Sequence, residues 1–167
     1  MVKIVMINGA FGVGKTTLAD GLAARIPNSL IYDPEEVGQM LRKITKETGD
    51  FQDIALWPSL TVDIAGRLFS TYKRSLIIPM TLAHVPYFKE IKDGLSNLTS
   101  ELYHFCLTAS IEVIHQRLER RGDIKGSWTF QQTARCVEAH REAIFSEHID
   151  TENMDSRQIQ ELILSRI

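Results

Sequence analysis

An α/β fold, with a five-stranded parallel sheet and helices on both faces, is what this sequence predicts. Three observations lead there. Short apolar runs alternate with stretches of helical periodicity. The first run leads directly into the glycine-rich segment Gly9-Ala10-Phe11-Gly12-Val13-Gly14-Lys15-Thr16. The 167 residues contain no internal repeat and no Gly/Ser/Pro-rich linker, so one domain, 1–167, is expected.

Lys3 to Asn8, Ser29 to Tyr32, Ser75 to Met80 and Leu102 to Leu107 read as buried strands, being short, mostly apolar and bounded by Gly, Pro, Asp or Ser. His148 to Asp150 supplies a fifth. Lys15 to Ile26 has Leu18, Leu22 and Ile26 on one helical face, Ile111 to Arg121 has Ile111, Ile114 and Leu118, and Asp155 to Ile167 has Ile159, Leu162 and Ile163. Parallel neighbours need a right-handed crossover, which a helix provides. Ligands then bind outside the carboxyl ends of the strands, which directs attention to Gly9 to Thr16, Asp33, Thr81 to His84, and Thr108 to Ser110. Two segments interrupt the alternation. Residues 45–72 form a long insertion expected to hold the substrate, and residues 117–129, with Gly122 and Gly126, are expected to form a lid.

Composition narrows the partners. Hydrophobic residues make up 44% of the chain, enough for one core, and a net charge of -2 with 24% charged residues indicates neither an acidic tail nor a basic nucleic-acid face. A small molecule is the expected partner, and nothing in the sequence signals an oligomeric state. The N-terminal apolar run lacks a basic leader and a cleavage site, and no run approaches the roughly 18 apolar residues that cross a bilayer. A cytoplasmic protein without membrane insertion is therefore expected. Cys106 and Cys136 fall in no metal-site spacing and are expected as buried, reduced thiols.

The segment from Gly9 to Thr16 matches G-x-x-x-x-G-K-[ST] and lies between a strand and a helix, the context in which this pattern forms a phosphate-binding loop. Glycines let successive amides point inward at a helix N-terminus, whose dipole favours anions. Gly9, Gly12, Val13, Gly14, Lys15, Thr16 and Thr17 are expected to hold ATP, with Lys15 on the β and γ phosphates and the Thr16 hydroxyl on Mg2+. The chain thus predicts a P-loop NTPase of nucleotide-kinase type.

Enzymes of this kind usually carry a magnesium-ordering acid after an apolar strand, yet Ser75 to Met80 ends without one. Asp33, at the end of Ser29 to Tyr32, is the candidate for ordering Mg2+ or accepting a proton; Asp33-Pro34-Glu35-Glu36 is also a helix start with an Asp cap, and if Asp33 only caps, the acid is to be sought at Asp150 or Glu35. Arg117, Arg121 and Arg135 are candidates for contact with the transferred phosphoryl, since a closing lid brings guanidinium groups onto it. His84, after the third strand, and Trp57 and Trp128 are candidates for the acceptor side, with core packing the alternative for Trp57.

Beyond the loop, Ile7-Asn8-Gly9-Ala10-Phe11-Gly12, Tyr32-Asp33-Pro34-Glu35, Asp50-Phe51-Gln52, Leu56-Trp57, Pro79-Met80-Thr81, Tyr87-Phe88, His104-Phe105, Ser127-Trp128, Arg135-Cys136-Val137-Glu138 and His148-Ile149 run in order through the chain. In these segments the sequence resembles the tunicamycin-resistance ATP-binding protein family, related to the shikimate- and gluconate-kinase-like P-loop proteins. The resemblance implies that Gly12, Gly14, Lys15 and Thr16 bind the triphosphate and that Asp33 faces the acceptor. It also implies a link to tunicamycin, a uridine-containing antibiotic. Two functions are expected from it: an ATP- and Mg2+-dependent phosphotransferase acting on a small molecule such as that antibiotic, or an ATP-dependent protein that sequesters it without transfer. Members of the family can continue into a basic, amphipathic C-terminal segment, whereas this sequence ends at Ile167.

Overall fold

A computed structural model describes residues 1–167. The elements are β1 (Ile4–Gly9), α1 (Lys15–Arg25), β2 (Ser29–Ile31), α2 (Pro34–Thr45), α3 (Trp57–Tyr72), β3 (Ser75–Met80), α4 (Val85–Ser96), β4 (Leu102–Thr108), α5 (Ile111–Arg121), α6 (Trp128–Ala139), β5 (His148–Asp150) and α7 (Ser156–Leu164). Single 3-10 turns lie at Phe51–Asp53 and Ala143–Phe145. All pairings are parallel, in the order β2-β3-β1-β4-β5, so the glycine loop leaves the middle of the sheet.

Period-two alternation divides the core. Ile4 and Met6 of β1, with Leu76 and Ile78 of β3, face α2, α3 and α4; Val5, Ile7 and Ile77 face α1 and α7. A smaller cluster of Ile114, Leu118, Phe130 and Cys136 holds α5 against α6 beside Ala10 of the loop. Both cysteines are free and buried.

The larger part of the segment 45–72 is α3, which buries Trp57, Thr61 and Ala65. Trp57-Pro58 reads like a break, but proline is compatible with a helix's first turn, where its missing N–H has no partner to lose. Only the connection before α3, with its turn at Phe51–Asp53, borders the functional cavities.

The loop's position is set by a buried polar node that sequence reasoning overlooked. Asn8, fully buried, accepts hydrogen bonds at Oδ1 from the N–H of Gly9 and Leu82, both at 2.8 Å, and donates from Nδ2 to the Leu82 carbonyl at 2.9 Å. The same carbonyl lies 2.8 Å from Nε2 of His140; because a carbonyl only accepts, that ring nitrogen carries the proton. The ends of β1, β3 and α6 are thereby tied together. Asn8→Ala leaves the Leu82 and Gly9 amides without this acceptor and is expected to destabilise the fold by about 2–4 kcal/mol. Urea unfolding checks this; a loss within about 0.5 kcal/mol, typical of surface changes, contradicts the node.

His104 and His140 also make stability depend on pH. Burial holds both imidazoles down to about 4, below the roughly 6.5 of an unfolded chain. The unfolded state binds protons that the folded state refuses, so stability present above about pH 6.5 is lost as pH falls toward 4. At about pH 5 the expected loss is about 2 kcal/mol per histidine. Asp33 and Glu35, raised by burial, oppose this trend. Urea midpoints measured down the pH scale should fall, and His140→Gln should flatten the slope; an unchanged slope in that variant contradicts the assignment.

Candidate active site

The P-loop backbone adopts the conformations that its glycines allow. Gly14 has φ +111° with open space where a Cβ would stand, and Gly12 has φ +78° with the Leu118 side chain 2.8 Å from that position. α1 begins without a side-chain cap and without an acid in its first turn, so its first amides and positive dipole end stay available to an anion. Lys15 folds back so that Nζ donates to the Ala10 carbonyl at 2.9 Å and lies 5.7 Å from the Phe11 ring centre. Burial lowers its amine pKa, and the carboxylates of Glu35 and Asp33 work against that.

These residues line a cavity of about 470 Å³ with Thr16, Thr17, Asp33, Glu35, Arg117 and Arg121. Open space beside Gly14, free helix amides and an unpaired ammonium fit a triphosphate. The chain has no cluster of three or more His, Cys, Asp or Glu that could hold a metal. Thr16 and Asp33 accordingly fit a cation whose remaining ligands come from phosphate oxygens and water, the usual arrangement for Mg2+.

Asp33 caps α2: its Oδ1 accepts from Glu35 N–H at 2.9 Å, with Pro34 at the first helical position. One residue serves cap and cavity together. Glu35 also lines the cavity, and no hydrogen bond within the chain satisfies its carboxylate. Burial raises both acids, Glu35 with the Lys15 charge as the main opposing influence. In the sequence Glu35 stands in the helix start and, with Asp150, as an alternative acid to Asp33. The available signal was its spacing, which puts it in the first turn after a strand's carboxyl end. At the end of β3, Pro79 borders the cavity where an acid would otherwise stand.

The three candidate arginines go to three places. Arg117 donates to the Val13 carbonyl at 3.2 Å and to Thr151 Oγ1 and carbonyl at 2.8 and 2.7 Å, bracing the P-loop against the β5–α7 connection. It acts as a strut at the end of the P-loop while also lining the phosphate cavity. Beside it lies a second cavity of about 300 Å³ walled by Val13, Leu18, Leu107, Met154 and Ile159. These five residues come from five separate elements or loops, so no local pattern announced it. Arg121 lines the phosphate cavity and forms a two-pronged ion pair with Asp123 at 2.6 and 3.0 Å. Arg135 lines a different recess of about 250 Å³ with Asp50, Gln52, Asp53, His84 and Tyr87.

His84 thus borders a recess, stacked at 4.3 Å against Tyr87, whose hydroxyl donates to Asp53 at 3.1 Å. A small space of about 10 Å³ walled by Phe11, Thr81, Trp128 and Asp50 shares Phe11 with the phosphate cavity and Asp50 and Arg135 with the recess. Trp128 is half exposed and meets Phe11 edge-on at 5.3 Å. Trp57 does not take part: it is 1% exposed, its indole N–H donates to the Pro34 carbonyl at 2.9 Å, and its ring packs on Phe51. Its size and polar handle are used in the core.

Residues 4–143 match the model of a family described as an AAA domain. Over its whole length the chain is similar to the tunicamycin resistance protein of Deinococcus radiodurans, at 32% identity and TM-score 0.84, covering 99% of this chain and 95% of that one. The chain belongs to this AAA-domain, tunicamycin-resistance family. No curated protein matches it. Two more distant structures share the fold. One is a gluconokinase from Sinorhizobium meliloti, at 16% identity and TM-score 0.67, covering 98% and 90% of the two chains. The other is shikimate kinase from Acinetobacter baumannii, at 15% and 0.61, covering 99% and 95%. This tunicamycin-resistance family member therefore has a kinase-like P-loop fold, and none of its helices is long and apolar enough to cross a membrane.

Proposed function

We propose that the protein is an ATP- and Mg2+-dependent phosphotransferase that moves the γ-phosphoryl group onto a hydroxyl of a small molecule seated in the Arg135 recess. The observation that carries this reading is the phosphate cavity, where Lys15 and Glu35 stand together, with the Arg135 recess near it, both sharing lining residues with the small space between Phe11 and Asp50. A donor on one side and an acceptor on the other would meet at two carboxylates and two cations.

In this reading the P-loop amides and Lys15 hold the triphosphate, and the apolar slot beside Arg117 receives the base. Thr16 and Asp33 would hold magnesium, which would supply neutralising charge to the triphosphate. Glu35, raised by burial, accepts the hydroxyl proton as the acceptor oxygen bonds to the γ phosphorus. The bond to the β-bridging oxygen breaks and ADP leaves with its electron pair. Arg121 exchanges Asp123 for the transferring group as Gly122 and Gly126 let the intervening loop fold over the cavity, excluding water.

The similarity to a tunicamycin resistance protein favours tunicamycin or a related nucleoside antibiotic as the acceptor. Sequestration of such a molecule beside bound ATP is a second reading, favoured by Pro79 in the place of an acid. The test of the donor site is a melting curve with Mg2+ and ATP: at 100 times Kd, ligand linkage adds about 2.7 kcal/mol of stability. ADP release should then rise when acceptor is added. An unchanged melting curve contradicts the ATP site.

A further inference from the structure

Beside Ala10 of the P-loop lies a cavity of about 350 Å³ that the proposed transfer leaves unused. It opens between the carboxyl ends of β4 and β5, the start of α5 and the end of α6. It shares no lining residue with the phosphate cavity or the Arg135 recess, and only Leu107 with the slot beside Arg117. Asp150, an alternative acid in the sequence, lines this cavity and not the one that holds Lys15. The apolar part of the wall comes from Ala10, Leu107, Ala109, Ile114 and Val137.

The polar feature set among them is His140, which is 2% exposed and lines the same space. Its Nε2 donates to the Leu82 carbonyl, so the other nitrogen of the neutral ring, Nδ1, is an acceptor. No group of the chain donates to Nδ1, and, unlike Nε2 of His104 and of His115, it is not sealed from solvent. The open space that His140 borders is this cavity. A bare acceptor in a largely apolar wall is completed by a water or by the N–H or O–H of a ligand, and the ligand covers the apolar wall as well. Two carboxylates set the field. Glu152 accepts from the Ser110 N–H, and Asp150 accepts from the Glu152 N–H and from Asn153 Nδ2, both at 2.8 Å. These bonds hold both carboxyls below their ordinary range and leave them contributing charge rather than an anchoring bond. The cation beside them, Arg141, is turned to Glu138 at 3.0 Å.

We propose that this cavity is a second ligand site, for a small neutral or cationic ring compound that donates an N–H or O–H to His140 Nδ1 and lays its apolar face on Ala109, Ile114 and Val137. Its volume falls within the range of about 300–1,000 Å³ common to small-molecule pockets. An anionic group is rejected twice: its lone pairs would meet the lone pair of Nδ1, and Asp150 and Glu152 repel its charge. The site stands whether or not the protein transfers a phosphoryl group.

The experiment is an NMR titration of the whole protein that follows the imidazole nitrogens, with and without Mg2+ and a non-hydrolysable ATP analogue. Indole is the neutral donor probe, benzofuran the same ring shape without an N–H, tryptamine the cationic probe and indole-3-acetate the anionic one. Indole should move the Nδ1 resonance of His140 and leave His104, which does not line the cavity, in place. Benzofuran should bind about tenfold more weakly, the value of one hydrogen bond to a buried acceptor. Tryptamine should bind about fivefold more tightly than indole-3-acetate, as fits carboxylates near the surface. Indole should still bind with the analogue in place, and Val137→Phe, which fills the cavity, should abolish indole binding while sparing the analogue. The benzofuran comparison uses the unchanged protein and so holds even if that variant folds poorly. Indole that leaves His140 unmoved, benzofuran or indole-3-acetate binding as tightly as its counterpart, or displacement of indole by the analogue overturns the proposal.

Discussion

Lys15→Ala is expected to cost about 10- to 100-fold in ATP affinity and about 10²–10³ in turnover, because a charge-assisted contact is lost where transition-state charge develops. The ammonium is buried, bonded only to the Ala10 carbonyl and unpaired with any acid within ion-pair distance. Its desolvation is recovered when a phosphate approaches. The same change should spare the fold, since the residue borders the cavity and removes only one hydrogen bond. Arg121→Ala should lose about 10³ in turnover with little change in ATP affinity, as expected for a guanidinium that engages the phosphoryl only on closure. Arg117→Ala should instead lower stability first, its guanidinium being committed to Val13 and Thr151. Titration calorimetry with steady-state rates checks all three. An Lys15→Ala enzyme with unchanged ATP affinity, or equal small losses at Arg121 and Arg117, contradicts the division of roles.

The second large effect is expected at the acid pair. Glu35→Gln should reduce turnover by about 10²–10⁴, the usual contribution of a positioned base, while leaving ATP affinity near its original value. Because burial raises this carboxyl, the acid limb of the kcat/KM profile should lie above the ordinary glutamate range, and the Gln variant should lose that limb. Asp33→Asn is expected to keep the α2 cap, since an asparagine oxygen can also accept the Glu35 amide, and to act through the metal dependence of turnover. If Glu35→Gln is as active as the unchanged enzyme while Asp33→Asn is inactive with an intact melting curve, proton acceptance belongs to Asp33.

Much of this arrangement was legible in the chain because it is local. The strand before the loop, the glycines at 12 and 14, the Asp33-Pro34 helix start and the Ile111 to Arg121 periodicity each depend on residues within a few positions. Ser75–Met80 and Ile111–Arg121 fall where the pattern puts them. What escaped the sequence is assembled from distant segments. The Asn8–Leu82–His140 node joins three elements through side chains that look like ordinary loop or helix residues. The Arg117 strut depends on Thr151, beyond the next strand. For Trp57 the sequence left open an acceptor contact or core packing, and the choice falls to the core because Pro34 takes its indole N–H and Phe51 packs on its ring. Glu35 was visible as an alternative acid to Asp33 and not separable from it, since a helix-start acid and a cavity base have the same local sequence and differ only in what lies opposite.

The most direct test of phosphoryl transfer is mass spectrometry of small molecules incubated with the protein, Mg2+ and ATP carrying heavy oxygen in its γ-phosphoryl group. Tunicamycin and related nucleosides are the acceptors to follow. A product carrying one labelled phosphoryl group, formed with matching ADP and absent with Lys15→Ala and Glu35→Gln, is the predicted result. An acceptor that binds the ATP complex yet returns without label, while ADP does not accumulate, contradicts transfer and assigns the site to sequestration.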